Sequence, residues 1–548
     1  MTGGVMTGAA SVVKALKACG VRTIFSLSGN QIMPVFDACI DAGIRIVHVR
    51  HEAAAVYMAD AWAQLTGEIG VAMLTAGPGL ANGLAPLYAA KLAESPVLLL
   101  SGDSALAQDG RGAFQELDQV ALTRPVVKQG RRSRSVQALA EDVATLITTA
   151  LSGRPGPVHL AMPFDLLQAR APAQDAVAGM PVEPRAQPCT QADADRLLER
   201  LRQARRPVIL VGPSLSRSRC GDLLDRVAAA VGAPVIPMES PRGFVDPSGG
   251  ALANLVAQAD LVVLVGKIVD FTLKFGDKSS FDPAAQFMVL DPEQEAIDRA
   301  ARCLGDRMAF AARADGRHVL ELLAGHAFDH GRGDWLDRAQ ASLAERTLAV
   351  AEPVVDGLLP RQICQAVQQA LADAVEPILV CDGGEFGQWA QGYCSAPKRV
   401  INGMAGSIGG GICYAVAAKI ACPNATVVAL MGDGTAGFHL TEFETAAREC
   451  APIIAVIGND SKWNAEYLIQ VREYGPDRVN GCTLSADTRY DLAAQALGGK
   501  GERIATLPAL EGALAHAVQA GLPVCLNVEM HGLPAPAYAL RVAARDTH

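Results

Sequence analysis

Short apolar runs alternate along this chain with longer stretches whose apolar positions recur at helical spacing. Repeated from end to end, that alternation predicts α/β domains built on parallel sheets. In residues 1–170 the runs predict strands at Thr23–Ser28, Arg45–His48, Gly70–Leu74, Val97–Ser101 and Val158–Met162, with helices such as Gly8–Cys19, Glu52–Leu65 and Ala81–Ala93 between them. Ala171–Thr190 is rich in Pro, Ala and Gln without period and reads as a linker. A second block, 191–350, opens on a helix at Gln191–Ala204. It offers strands at Pro207–Val211, Leu261–Val265 and Gln286–Leu290 and closes on a charged helical stretch, Gly333–Val350. After a second linker, Ala351–Leu359, residues 360–530 supply strands at Ile378–Cys381, Arg399–Ile401, Thr426–Met431, Ile453–Ile457 and Val524–Val528. A tail, 531–548, either caps a site or hangs free. The expected fold is α/β with three domains, each a mostly parallel sheet flanked by helices. The matching size and pattern of the first and third blocks permit two related domains around a different one.

Composition narrows the function classes. The net charge of −9 argues against a generally cationic nucleic-acid binder. Charged residues are only 19% and there are 53 glycines, which suits a large enzyme and excludes a coiled coil or a disordered chain. No apolar run reaches the length of a membrane helix, and the N-terminus shows no secretory pattern. The 13 cysteines follow no CxxC spacing, so reduced thiols in a cytoplasmic protein are expected.

The chemistry concentrates in the third block. An apolar strand delivers Asp433 between Gly432 and Gly434, with Thr435 next, and a second strand delivers Asn459 and Asp460. In a parallel sheet both strands end on one edge, the edge that lines ligand crevices. Two hard oxygen donors there suit magnesium, with a phosphate completing its shell. The glycines let backbone approach that phosphate, and the helix start after Gly434 offers N–H donors. A lone Gly-Asp-Gly would more often be an ordinary turn; the second strand with its Asn-Asp favours a cofactor.

These residues resemble the magnesium–diphosphate motif of thiamine-diphosphate enzymes. That family usually has Asn-Asn where this chain has Asn459-Asp460; Asp is an equally hard ligand, and the backbone carbonyl of Lys462 takes the third protein position. The resemblance spans the chain. Arg50-His51-Glu52, Thr75-Ala-Gly-Pro-Gly-Leu-Ala-Asn82 and Ala113-Phe-Gln-Glu-Leu-Asp-Gln119 are similar to the pyrimidine-binding domain of the acetolactate-synthase-like branch. Cys381-Asp-Gly-Gly-Glu385 and Gly406-Ser-Ile-Gly409 are similar to its diphosphate-binding loops. Trp463 and Tyr474–Gly481 resemble benzaldehyde lyases, whereas Gly266–Gly276 resembles 2-hydroxyacyl-CoA lyases.

The resemblance implies the roles. Glu52 would hydrogen-bond the aminopyrimidine ring and so promote deprotonation of the thiazolium carbon; alone, it would read as an acidic residue at a helix start. Gln115 and Ser28 face the substrate, although Ser28 stands where benzaldehyde lyase has a histidine and is a poor base. Pro78, Asn82, Gly383, Gly384, Glu385, Gly406, Ser407, Ile408, Gly432, Gly434 and Thr435 hold the cofactor, Ile408 as the wedge that bends it. Asp433, Asp460 and Lys462 hold magnesium. Trp463, Asn464 and Tyr467 line the substrate pocket, with Trp463 and Tyr467 sharing a helix face. The middle block, without GxGxxG, leaves FAD, ADP or an empty site open. The implied enzyme is a lyase or carboligase for 2-hydroxy ketones, 2-hydroxyacyl-CoA thioesters or 2-oxo acids. It is a homodimer at least and a homotetramer by family habit, with no nucleic-acid or membrane partner. Acetolactate synthase proper, a non-catalytic cofactor-binding relative and a flavin or nicotinamide oxidoreductase are the alternatives.

Overall fold

The structure, a computed structural model, describes residues 5–172, 183–328 and 330–538. Three parallel sheets organise it. In the first, strands Arg45–His48, Thr23–Ser26, Gly70–Leu74, Val97–Asp103, Val158–Pro163 and Gln129–Arg132 lie side by side in that order. In the third the order is Lys398–Ile401, Ile378–Cys381, Val427–Gly432, Ile454–Asn459, Val524–Glu529 and Lys500–Ile504. Both sheets follow one winding: the second strand in the chain at an edge, then the first, third, fourth, sixth and fifth. The first and third domains therefore share a topology. The central sheet has five strands, in the order Val235–Pro237, Pro207–Val211, Leu261–Val265, Gln286–Asp291 and Met308–Arg313.

Strand alternation sends side chains to both faces. Ile24, Val71, Met73, Leu98 and Leu100 pack against helices Gly8–Ala18 and Ala138–Leu151. Phe25, Ala72, Leu74 and Leu99 face helix Glu52–Thr66. That helix packs in turn on Gly411–Ala421, so one apolar core runs unbroken from the first sheet to the third. Small residues make the close crossing possible: Ala53, Ala54, Ala55 and Ala59 on one helix, and Ala415, Ala417 and Ala418 on the other, are all buried.

The pattern of apolar residues misses several elements. Gln129–Arg132 and Lys500–Ile504 are polar edge strands, paired on one side only and lacking an apolar run. Val235–Pro237 is too short to stand out, and Met308–Arg313 is another edge. Val5–Thr7 pairs antiparallel with Arg170–Pro172, so the first linker begins two residues later than expected, and its residues 173–182 lie outside the described ones. The strand expected to reach Ser28 stops at Ser26, where Gly29 turns in against Thr75. The helix expected at Ala81–Ala93 starts at Pro78 and divides at Gly83, where a Cβ would sit 2.7 Å from Leu74 Cδ1. The helix expected to reach Val350 ends at Leu343, and Leu348 pairs instead with Tyr538 of the tail. All thirteen cysteines are free, and no helix among the described residues is long and apolar enough to cross a membrane.

Arg154 ties the first domain to the central one. Its guanidinium pairs with Glu94 and Asp291 and donates to Gly266 O at 2.9 Å. Glu94 also accepts from Ser214 N at 3.0 Å and Ser214 Oγ at 2.5 Å. Arg154→Ala strands two buried carboxylates, and breaking such a network by removing one partner costs about 3–5 kcal/mol. Denaturant unfolding should show that loss with the secondary structure intact before the transition.

Candidate active site

Strands Val427–Gly432 and Ile454–Asn459 run parallel with Gly432 opposite Gly458, so Asp433 and Asp460 leave the same sheet edge. Asp433 is 2% exposed. Burial pushes its carboxyl up to about 6, against the pull of the N–H groups of Gly434, Ser461 and Lys462. Asp460 is pushed to about 7, first by burial and then by the charge of Asp433. Asp460 Oδ2 is buried and has no hydrogen-bond partner. Between the Asp460 and Lys462 positions, Ser461 holds a left-handed φ of 57°, a strained conformation of the kind that clusters at functional sites. Two mutually repelling buried carboxylates, one with an orphaned oxygen, are what a divalent cation would neutralise. The donor set therefore fits magnesium. No group of three or more His, Cys, Asp or Glu among the described residues could hold a metal by side chains alone. Here a backbone carbonyl such as that of Lys462 and oxygens of a ligand would have to complete the shell.

The two aspartates open onto a cavity of about 220 Å³ lined by Gly383, Gly384, Glu385, Gly406, Ile408, Gly432, Gly434, Thr435, Lys462, Trp463 and Asn464. Eleven of the expected site residues thus meet Asp433 and Asp460 around one space. The glycines have specific duties. Gly384 and Gly406 take φ of +84° and +63°, which L side chains rarely adopt. At Gly434 a Cβ would lie 2.7 Å from the Trp463 ring. Ile408 Cγ2 presses against Gly383, 2.5 Å from where its Cβ would be, so the expected wedge stands at the cavity wall. Asp382, which sequence reasoning did not single out, fixes these loops. Its carboxylate accepts the N–H groups of Gly383 at 2.6 Å, Gly409 at 3.0 Å and Gly411 at 2.9 Å. It stands directly before the quoted Gly383, which was the available signal.

Other expected residues go elsewhere. Ser407 lines no part of the cavity; its Oγ is 2.6 Å from Tyr57 OH, at the contact between the first and third domains. Trp463 precedes helix Asn464–Tyr474 rather than sitting on it, so it does not share a helix face with Tyr467. Trp463 meets Phe438 edge-on at 6.2 Å, whereas the Tyr467 ring lies 4.8 Å from Nζ of Lys462, a lining residue, and is not itself part of the cavity wall. The described part of the tail covers the rim. Ala535 N donates to Glu385, and Asn464 Nδ2 donates to Leu533 O at 3.1 Å. Arg242 of the central domain and Met530 also line the cavity, and neither was anticipated.

Ser28, Glu52, Pro78, Asn82 and Gln115 form a second group, on the first domain and outside this cavity. Glu52 opens its helix behind His51, whose Nδ1 accepts Ala53 N at 3.1 Å as a cap. Asn82 Nδ2 donates to Glu52 Oε2 at 3.0 Å. Gln115 takes a left-handed φ of 60° and its Oε1 accepts from Gln31 Nε2 at 2.8 Å, while Thr75 Oγ1 donates to Gln31 Oε1 at 2.6 Å. Ser28 Oγ lies 3.4 Å from His48 Nε2. Large apolar side chains stand exposed beside both groups: Phe114 at 77% next to Gln115, and Phe438 at 53% near the metal motif.

A sheet edge carrying this carboxylate pair and glycine cradle, repeated in topology by a domain that carries Glu52, defines a cofactor-dependent α/β enzyme. Family models agree on which: a thiamine pyrophosphate enzyme N-terminal TPP binding domain matches residues 6–122, a central domain 194–323 and a C-terminal TPP binding domain 382–528. The chain belongs to the thiamine pyrophosphate enzyme family. It is 32% identical to 2-hydroxyacyl-CoA lyase 2 of Bos taurus, over 90% of this chain and 84% of that one. It is also 32% identical to an acetolactate synthase large subunit of Mycobacterium tuberculosis, over 94% of both. In fold it matches the thiamine diphosphate-dependent 4-hydroxybenzoylformate decarboxylase of Rhodococcus jostii RHA1, with a TM-score of 0.80, 24% identity, and coverage of 96% of this chain and 99% of that one.

Asp460→Asn provides a local check. An amide oxygen is still a hard ligand, and the substitution removes the repulsion with Asp433. Cofactor affinity in magnesium should stay within roughly tenfold of the parent by calorimetry. A larger loss would show that the second carboxylate charge itself is required.

Proposed function

We propose that the protein is a thiamine-diphosphate- and magnesium-dependent carbon–carbon lyase or carboligase acting on 2-hydroxy ketones, 2-hydroxyacyl-CoA thioesters or 2-oxo acids. The observation that carries this is the orphaned Asp460 Oδ2 beside Asp433, at the end of a glycine-lined cavity. When bound, thiamine diphosphate supplies a nucleophilic carbon and an electron sink for making or breaking a bond next to a carbonyl. The chain does the rest. Asp433, Asp460 and the Lys462 carbonyl would hold magnesium, and Gly383, Gly384, Gly406, Gly434 and Thr435 would cradle the diphosphate. Ile408 would set the bend of the bound molecule. Glu52, supported by Asn82, would hold a proton at the aminopyrimidine nitrogen. Gln115 and Ser28 would meet the substrate with Trp463 and Asn464.

One chain keeps the Glu52 group outside the cavity that Asp433 opens onto. We therefore read a dimer as the smallest active unit and a homotetramer as the assembly, with the exposed Phe114 and Phe438 faces covered by a second copy. Unpaired cysteines support a cytoplasmic setting.

A substrate panel tests the reaction. With cofactor and magnesium, pyruvate, benzoin and 2-hydroxyacyl-CoA thioesters are offered and the products separated. Aldehyde release from a hydroxyketone or hydroxyacyl thioester supports the lyase reading, and acetolactate from pyruvate supports the synthase alternative that the M. tuberculosis relative favours. No turnover at all would leave a non-catalytic binder. The central domain is a separate question. A cavity of about 590 Å³ opens beside Arg154, Ser214 and Gly266, yet Glu94 already takes the Ser214 donors. An absorbance spectrum and the mass of any released nucleotide decide among FAD, ADP and an empty domain.

A further inference from the structure

Ile408 stands at the cavity wall between two residues that are each held from behind. On one side Ser407 Oγ is 2.6 Å from Tyr57 OH. On the other, both backbone groups of Gly409 are taken. Its N–H donates to Asp382 at 3.0 Å, and its carbonyl lies 2.7 Å from Nδ1 of His439. A carbonyl only accepts, so Nδ1 of His439 carries the proton and donates it. Burial lowers the pKa of this ring below the usual histidine value, which favours the neutral form with a single N–H to give.

The donor has a rigid seat. His439 lies between helices Asp433–Ala436 and Glu442–Arg448 and is 5% exposed. Its ring meets the His51 ring edge-on at 5.8 Å and the Tyr57 ring edge-on at 5.7 Å. His51 caps the helix that Glu52 opens, and Tyr57 lies on that helix. Close by, the buried Glu442 accepts Arg50 N at 2.9 Å. His439 is thus backed by the first domain while its N–H reaches the loop of the third. The loop itself needs such support. Ile408 is only half-buried, and Gly406 and Gly409 on either side take φ of +63° and +89°. Glycines so placed leave a backbone with other conformations open to it, so the position of Ile408 depends on what pins the loop. Asp382 pins the N–H of Gly409, and His439 pins its carbonyl.

We propose that His439 is a positioning residue: through its hydrogen bond to the Gly409 carbonyl it holds Ile408 where it sets the bend of bound thiamine diphosphate. The proposal rests on the cofactor reading above and adds to it a residue outside the cavity lining. His439 acts through Ile408 and has no part in holding magnesium or the diphosphate.

The test sets two substitutions with opposite losses side by side. His439→Phe keeps a flat ring between His51 and Tyr57 and removes the donor. His439→Asn removes the ring and keeps a side-chain N–H close to the backbone, where Nδ1 stood. The readout is the exchange of hydrogen for deuterium at the thiazolium carbon of the bound cofactor, in magnesium-loaded protein, quenched with acid and read by NMR. It needs no substrate. His439→Phe should slow the exchange roughly 10- to 100-fold, the scale on which small misplacements of reacting groups cost rate. His439→Asn should stay near the parent rate. Cofactor affinity by calorimetry should hardly change in either, since the aspartates and the glycine cradle are untouched. A slow Asn variant beside a Phe variant at the parent rate would make His439 a packing residue and overturn the proposal. Parent-like exchange in both, or equal slowing in both, overturns it too, as does a loss of cofactor affinity that matches the loss of rate. If a melting curve shows that His439→Phe does not fold, His439→Asn decides alone: the parent rate supports the hydrogen bond, and a slowed one overturns it. A parent that binds no thiamine diphosphate removes the cofactor reading and this proposal together, whereas a parent that binds and exchanges beside variants that do not differ removes only the role of His439.

Discussion

Asp433→Ala should abolish magnesium-dependent binding of thiamine diphosphate. The side chain is buried at the end of a central strand, with the N–H groups of Gly434, Ser461 and Lys462 turned toward it. Truncation removes a metal ligand and the acceptor for those donors together. Even outer-shell substitutions around metals cost about 10- to 100-fold, so losing a ligand should cost at least ~100-fold in cofactor affinity. Calorimetry with and without magnesium reads this directly. The parent should show tight, magnesium-dependent uptake, and the variant weak uptake indifferent to the ion. Because alanine also removes one of two repelling buried carboxylates, the apoprotein should remain folded, which a melting curve checks. A variant that still binds cofactor as tightly as the parent would move the metal site elsewhere.

Much of this site was legible because strand ends are strongly patterned. Val427–Gly432 and Ile454–Asn459 are apolar for most of their length, so their termini, and the acids that follow, could be placed on one edge from the sequence. The glycines at 383, 384, 406 and 434 were legible for a related reason: close approach leaves no room for a side chain at 383 and 434, a left-handed backbone disfavours one at 384 and 406, and both constraints are written as Gly. What escaped was whatever depends on contacts between distant segments. Asp382 fixes two loops from behind, Arg242 arrives from another domain, and Met530 and Ala535 reach the rim from the tail. Apart from the Gly-Gly that follows Asp382, none of these has a local pattern. Edge strands such as Gln129–Arg132 escaped because one open side frees them from the apolar alternation that marks inner strands. The shared winding of the first and third sheets was permitted by their similar patterns, but only strand order could show it.

Glu52→Gln should separate binding from turnover. The carboxylate stands at the first turn of a helix whose remaining residues are mostly packed in the core, and it accepts a hydrogen bond from Asn82. Glutamine keeps the size and the acceptor oxygen, so helix, core and the Asn82 contact survive. What it cannot do is hold a transferable proton between its oxygen and a ring nitrogen. Removing a positioned general acid–base group typically costs about 10²- to 10⁴-fold in rate, and a loss of that size is expected in kcat. Cofactor affinity should change little, since Glu52 lies apart from the metal and diphosphate cavity. Two measurements on one preparation decide it: cofactor binding by calorimetry, and turnover of whichever panel substrate the parent accepts. Full turnover by the Glu52→Gln variant would mean that proton transfer is handled elsewhere and that Glu52 serves only to start its helix. Loss of binding and turnover together would place Glu52 among the groups that hold the cofactor. Retained binding with turnover down by about two orders of magnitude or more is the result that makes it catalytic.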